Sequence, residues 1–205
     1  SGEKKIYMIN ITAETEKMLE RAKLVEKLGN EYAMVDIITV GWSALQTLRN
    51  KDFDLILHAH RAGHAAFTRN PKHGIAMKVI AKIARIIGID QLHVGTVVGK
   101  MFETRKEVLE NCKALKEKMW KFKPVMPVAS GGLHPLHIPE LIKIFGNDFV
   151  AQFGGGIHSL QTKIGATAVR QALEATQQGI PLKEFARTHP ELKLALKKFG
   201  TKHTM

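Results

Sequence analysis

The 205 residues are 44% hydrophobic and 24% charged with 17 glycines, a balance that excludes a disordered or fibrous chain. No run approaches the roughly 20 apolar residues of a membrane helix, and the lone Cys112 excludes an internal disulfide. A net charge of +12 admits an anionic partner, but much of it lies on helical runs such as Lys113, Lys116, Lys118, Lys121 and Lys123, where charge usually serves solvation.

The chain alternates β-like and helical runs. Ile6 to Ile11 predicts a strand, followed by an amphipathic helix from Thr15 to Leu28 that Gly29-Asn30 ends. Tyr32 to Val40 predicts a second strand, with a helix after Gly41. Asp54 to His58 predicts a third, then a helix from Gly74 to Ile87 closed by Gly88. Gln91 to Val94 predicts a fourth, with a helix from Lys106 to Trp120. Pro124 to Val128 and Phe149 to Phe153 predict the last two, followed by helices Ile138 to Phe145 and Gly165 to Gln178. A helical tail from Leu182 to Phe199 is interrupted at His189-Pro190.

Strand-then-helix repetition predicts an α/β fold with parallel strands and crossover helices. The strands read as apolar throughout, as expected when both faces are covered. No linker-like segment divides residues 1–205, so a single domain is expected. Six units are too few for a (β/α)8 barrel, which needs eight strands and about 250 residues. Either the sheet is open and six-stranded, or two units come from elsewhere.

Chemistry gathers just after the strands, where parallel α/β proteins bind ligands. The third strand runs into HAHRAGHAAFTRNPKHG, with His58, His60, Arg61, His64, Arg69 and His73. The fourth runs into LHVGTVVGK, with His93 and Lys100. The fifth ends in ASGGLHP, with Ser130, Gly131 and Gly132, and the sixth in FGGG, with Gly154, Gly155 and Gly156. Glycine-rich turns expose backbone N–H groups that favour phosphate, although such turns are often only tight turns. Arg61 and Lys100 add charge for a second anion, so the expected substrate has two anionic ends. His58 and His60 share a strand face and raise the question of a metal. General acid/base or phosphate-binding histidines are the preferred reading, with no metal ligands assigned in this chain. Trp42 and Trp120 read as packing anchors.

Together and in this order, HAHRAGHAAFTRNPKHGI, GIDQLHVGTVVGK, KPVMPVASGGLHP and FGNDFVAQFGGG resemble the ribulose-bisphosphate carboxylase large subunit, in its archaeal wording, from about Ile6 to Gly200. The resemblance implies a partial (β/α)8 barrel made of units three to eight, without the first two units or the N-terminal domain. It implies that Arg61 and His93 bind phosphate, that His60 is an acid/base group, and that Lys100 is the mobile-loop lysine meeting the carboxylated intermediate. Ser130, Gly131 and Gly132 match the strand-seven substrate loop, and Gly154 and Gly155 the strand-eight phosphate loop. The implied reaction converts ribulose 1,5-bisphosphate and CO₂ to two 3-phosphoglycerates with Mg²⁺. The family's Lys-Asp-Asp-Glu metal motif does not occur here, so Mg²⁺ ligands are expected outside this chain.

Six barrel units would leave two open strand edges, so a homo-oligomer or a complementary N-terminal chain is expected, while the charge on helix faces and the lack of a long apolar run predict no nucleic-acid or membrane partner, and the lone cysteine fits a cytoplasmic location. Three local departures stand out. IHSLQTKIGA replaces the family's Gly-His-Pro loop, MFETRKEV follows Lys100, and the stretch between Cys112 and Pro124 is short. A carboxylase-like keto-enol isomerase of sulfur salvage and a non-catalytic truncated or assembly protein are the alternatives.

Overall fold

The computed structural model describes residues 5–70, 72–99 and 102–200. The strands are β1 (Ile9–Asn10), β2 (Tyr32–Asp36), β3 (Ile56–His60), β4 (Gln91–His93), β5 (Met126–Ser130) and β6 (Val150–Gln152), hydrogen-bonded in chain order. The β1–β2, β2–β3, β3–β4 and β5–β6 ladders are parallel. The helices are α1 (Thr15–Lys27), α2 (Ile37–Asn50), α3 (Ala65–Thr68), α4 (Met77–Ile87), α5 (Arg105–Lys116), α6 (Ile138–Phe145), α7 (Gly155–His158), α8 (Thr162–Gln177), α9 (Leu182–Phe185) and α10 (Pro190–Phe199). A 3₁₀ turn, Pro135–His137, leads into α6. No helix among the described residues is long and apolar enough to cross a membrane.

The chain forms two compact units. One runs to His93 and takes in Leu109–Pro127; the other holds Val94–Val108 and the chain from Val128.

In the first unit, β2 is paired with β3 from Tyr32↔Ile56 to Asp36↔His60, and β3 with β4 at His58↔Gln91 and Ala59↔Leu92. Paired residues of neighbouring strands share a face, and alternate residues of one strand do too. Ala33, Val35, Leu57, Ala59 and Leu92 therefore share one face, and all are buried. Met18, Ala22 and Val25 of α1 and Leu45 and Leu48 of α2 are buried with them, and these two helices pack on β2. The other face carries Asn10, Asp36, His58, His60, Gln91 and His93. This differs from the expectation of uniformly apolar strands. The alternation was hidden because the polar residues crowd the strand ends, leaving the middles apolar.

Boundaries also move, two of them with consequences for the site. Ile37 to Val40, expected as strand, begins α2, which breaks at Gly41 (φ 76°, ψ 169°) before continuing. The β2–β3 ladder ends at Asp36↔His60. Past that point the backbone loses its ladder partner and satisfies its hydrogen bonds within a helical turn. Strand β3 lies two residues later than predicted, which brings His60 as well as His58 into the sheet.

Trp120 is not a packing anchor: it is 82% exposed, at φ 41° in the tight turn closed by the Met119–Phe122 bridge. The turn projects its side chain outward rather than over the core. Cys112 is largely shielded on α5, and burial pushes its thiol up to about 11, so it stays protonated and unreactive near neutrality.

In the second unit β5 and β6 pair at Val128↔Val150, Ala129↔Ala151 and Ser130↔Gln152. Behind them Ile138, Ala172, Ala186 and Leu192 form a core that joins α6, α8 and α10. Gln171 of α8 ties this core to the start of α10. It accepts from the Leu192 N–H at 2.9 Å and donates to Glu191 Oε2 at 2.7 Å.

Arg85 is the principal buried charge outside the strand ends, 3% exposed on α4. Its guanidinium donates to the carbonyls of Lys123 (2.8 Å), Ala114 (3.1 Å), Glu117 (2.8 Å) and Phe122 (3.1 Å). These are carbonyls that the end of α5 and the following turn leave without helical partners. Replacing Arg85 by Ala strands several of them away from water. We expect R85A to lower unfolding free energy by about 3 kcal/mol, read as a reduced urea midpoint at unchanged slope.

Candidate active site

The first unit's site follows from its register. Asp36 and His60 are ladder partners at the ends of β2 and β3, and His60 Nδ1 lies 2.6 Å from Asp36 Oδ1. The carboxylate is itself held. Asn10 Nδ2 donates to its Oδ2 at 3.3 Å, and Thr12 Oγ1 lies 3.2 Å from the same oxygen while donating to Asn10 Oδ1 at 2.6 Å. The Asp36 N–H donates to Thr12 Oγ1 at 2.9 Å. The His60 side chain is 37% exposed, and its Nε2 has no hydrogen-bond partner among the described residues.

Beside it, His58 Nδ1 meets Gln91 Oε1 at 2.8 Å and His58 Nε2 meets His93 Nε2 at 2.8 Å. With Gln91 presenting its oxygen, His58 must carry its proton on Nδ1, so its Nε2 accepts and His93 Nε2 donates. The His93 ring stands edge-on to both His58 and His60, with centroids 4.9 and 4.6 Å away. Arg61 follows directly and is 4% exposed. Burial, with Arg61 and His60 adding repulsion, holds His64 down at about 4. Burial first, then His58, His60 and Arg61, pushes His93 down to about 2. Burial lowers His58 as well, against the opposing effect of its bond to Gln91. The site thus combines neutral buried imidazoles with one permanent cation.

In the second unit, the turns after β4, β5 and β6 approach one another through their backbones. A Cβ on Gly99 would stand 2.3 Å from the Gly131 carbonyl oxygen, and one on Gly156 2.0 Å from that of Leu133. Only glycine fits at either place. The turns open on a cavity of about 810 Å³ lined by Gly99, Gly132, Gly155, Gly156, His134 and Phe199. His134 stacks between His137 and Phe199, with centroids 3.5 and 4.5 Å away. Gly155 and Gly156 open α7, where first-turn N–H groups lack helical acceptors.

Of the residues singled out from sequence, His60, Arg61 and His93 come together in the first unit. Gly132 and Gly155 line one cavity in the second. Ser130 ends β5 opposite Gln152, Gly131 follows it, and Gly154 is exposed ahead of α7. Lys100 lies outside the described residues. Asp36, Gln91, Asn10 and Thr12 were missed, although an Asp closing the alternating run YAMVD was a readable signal. Among the described residues no three His, Cys, Asp or Glu side chains gather to hold a metal.

Parallel strands with polar residues at their ends and helices behind define an α/β protein of the βα-barrel class. The profile of the "Ribulose bisphosphate carboxylase large chain, catalytic domain" matches residues 1–199. The chain belongs to that family, and the six parallel βα units are its partial (β/α)8 barrel, as the sequence predicted. A ribulose bisphosphate carboxylase of Methanosarcina barkeri is 50% identical over 218 residues, covering 97% of this chain and 51% of that protein. The octameric enzyme of Pyrococcus horikoshii OT3, solved with sulfate, is 48% identical at a TM-score of 0.94, covering all of this chain and 49% of that one. A rubisco-like protein from Burkholderia fungorum is 32% identical at 0.91, covering 97% of this chain and 50% of that one. The chain spans about half the length of the curated relatives it matches.

The buried imidazoles impose a sign on acid stability. In the unfolded chain His64 and His93 take up protons near 6.5, whereas the folded chain resists protonation down to about 4 and about 2. The unfolded state therefore binds more protons below 6.5. We expect unfolding free energy to be full above pH 6.5 and to fall as pH drops from 6.5 towards 4. H93Q should flatten that slope, as measured by urea unfolding at a series of pH values.

Proposed function

We propose that this chain supplies the phosphate-binding and acid/base residues of a ribulose 1,5-bisphosphate carboxylase large subunit, converting that substrate and CO₂ to two 3-phosphoglycerates. The observation that carries the reading is the His60 ring. It is held on one side by a carboxylate, keeps Nε2 without a partner among the described residues, precedes Arg61 at the end of β3 and meets the His93 ring at the end of β4. In this proposal Nε2 exchanges a proton with a substrate hydroxyl, the work of a positioned imidazole. Arg61, with charge that no accessible pH removes, grips one phosphate, and His93 joins it by turning its single N–H from His58 to a phosphate oxygen when substrate binds. Ser130, Gly131 and Gly132 with Gly154 and Gly155 offer hydroxyl and backbone N–H groups to another anion. Two anion grips in one chain suit the chemistry of a sugar bisphosphate. Lys100 is assigned to the carboxylate that CO₂ becomes.

Family carboxylases use Mg²⁺ as a Lewis acid on the enediolate. Its ligands are proposed to come from outside this sequence, from a complementary N-terminal chain or a further copy in a homo-oligomer. The octameric Pyrococcus relative is in keeping with assembly. The higher identity to ribulose bisphosphate carboxylases than to the Burkholderia rubisco-like protein favours the carboxylase reading.

Calorimetric titration with ribulose 1,5-bisphosphate is expected to show binding that weakens about 10- to 100-fold in R61Q, the worth of one charge-assisted contact. The chain by itself should not turn the substrate over. Turnover should appear when a chain bearing the Lys-Asp-Asp-Glu motif is added. Turnover by the isolated chain, or preferential binding of a methylthio-sugar phosphate, would overturn the reading.

A further inference from the structure

We infer that Asp36 is a positioning residue for His60, setting which ring nitrogen carries the proton. The inference deepens the acid/base reading of His60 and rests on it for its catalytic meaning, while its structural content stands alone. Two groups compete for His60 Nδ1. The Asp36 carboxylate lies 2.6 Å away at Oδ1, and the Ala62 N–H points at the same nitrogen from 3.3 Å. They demand opposite tautomers. A carboxylate accepts and requires Nδ1–H, whereas an amide donates and requires a bare Nδ1. The shorter, charge-assisted contact decides for Nδ1–H. Neutral His60 then presents a bare lone pair at Nε2, the nitrogen with no partner among the described residues.

Asp36 can dictate this because its own orientation is not free. Oδ2 is turned towards Asn10 Nδ2 and Thr12 Oγ1, and the backbone N–H is held by Thr12 Oγ1. That leaves Oδ1 facing the ring. When Nε2 takes a proton from a substrate hydroxyl, the resulting imidazolium donates Nδ1–H to a carboxylate already in place, and the hydroxyl oxygen keeps the electron pair.

The cradle makes the amide replacement informative. In D36N the introduced oxygen stays towards Asn10, the better donor, and the NH₂ group turns to His60. It then donates to Nδ1 and forces the proton onto Nε2, so the base is inverted while shape and volume are kept. In hydrolases built on an Asp–His pair, the same exchange costs about 10⁴ in turnover through the wrong tautomer.

The test is long-range ¹H–¹⁵N correlation NMR on the full 205-residue chain labelled at histidine, at alkaline pH, with His60 identified by its loss in H60Q. Wild-type His60 is expected as the Nδ1–H tautomer with a downfield Nδ1 proton. T12V, which keeps the carboxylate, should retain it, and D36N should switch to Nε2–H. An Nε2–H tautomer in wild type would mean that the Ala62 amide wins and would overturn the inference. So would an unchanged tautomer in a folded D36N or a switch in T12V. If D36N does not fold, the wild-type and T12V spectra still decide. Turnover in the complemented enzyme reads the other half. The expected tautomers with undiminished D36N turnover would sink the base role of His60 and leave the positioning intact.

Discussion

The parallel register of β2, β3 and β4 is the constraint on which the candidate site depends. Because alternate residues share a face, pairing Asp36 with His60 and His58 with Gln91 places Asn10, Asp36, His58, His60, Gln91 and His93 on one side of the sheet. A slip of one residue would send all of them to the apolar side and bring Val35, Leu57 and Ala59 into the site. The helices guard against this slip. The face behind the strands is buried, and a histidine or aspartate placed there would lose water without gaining a partner. The register that fills the core is thus the register that assembles the polar network.

Electrostatics at these strand ends follow from unequal access to water. His58 and His93 are buried and stay neutral, each meeting the other or Gln91 through a nitrogen whose protonation the partner dictates. Arg61 is buried too, but a guanidinium cannot shed its proton, so it keeps its charge where the imidazoles lose theirs. His60 alone of the three paired histidines is partly open, with a carboxylate on its inner side. One buried cation and one reachable imidazole are useful together because the surrounding imidazoles do not ionise in competition.

The second unit reaches its chemistry through the backbone. Where Gly99 meets the Gly131 carbonyl and Gly156 meets that of Leu133, there is no room even for a methyl group. The turns bring main-chain polar groups to the cavity beside the His134 and Phe199 rings. Such groups bind anions without titrating.

The sequence by itself determined the element order, the parallel α/β class and the family. These rest on local periodicity and on motifs read along one stretch of chain. It also marked His60, Arg61, His93 and the glycine turns, because each sits next to a recognisable strand end. It could not show that Asp36 holds His60, that Gln91 orients His58, or that Asn10 and Thr12 hold Asp36. Those partners are 24 to 33 residues apart, and only the register between strands brings them within hydrogen-bond distance. Nor could it show that Trp120 faces solvent or that Ile37 to Val40 is helical. Each depends on where neighbouring backbone runs out, and that is a property of the folded chain.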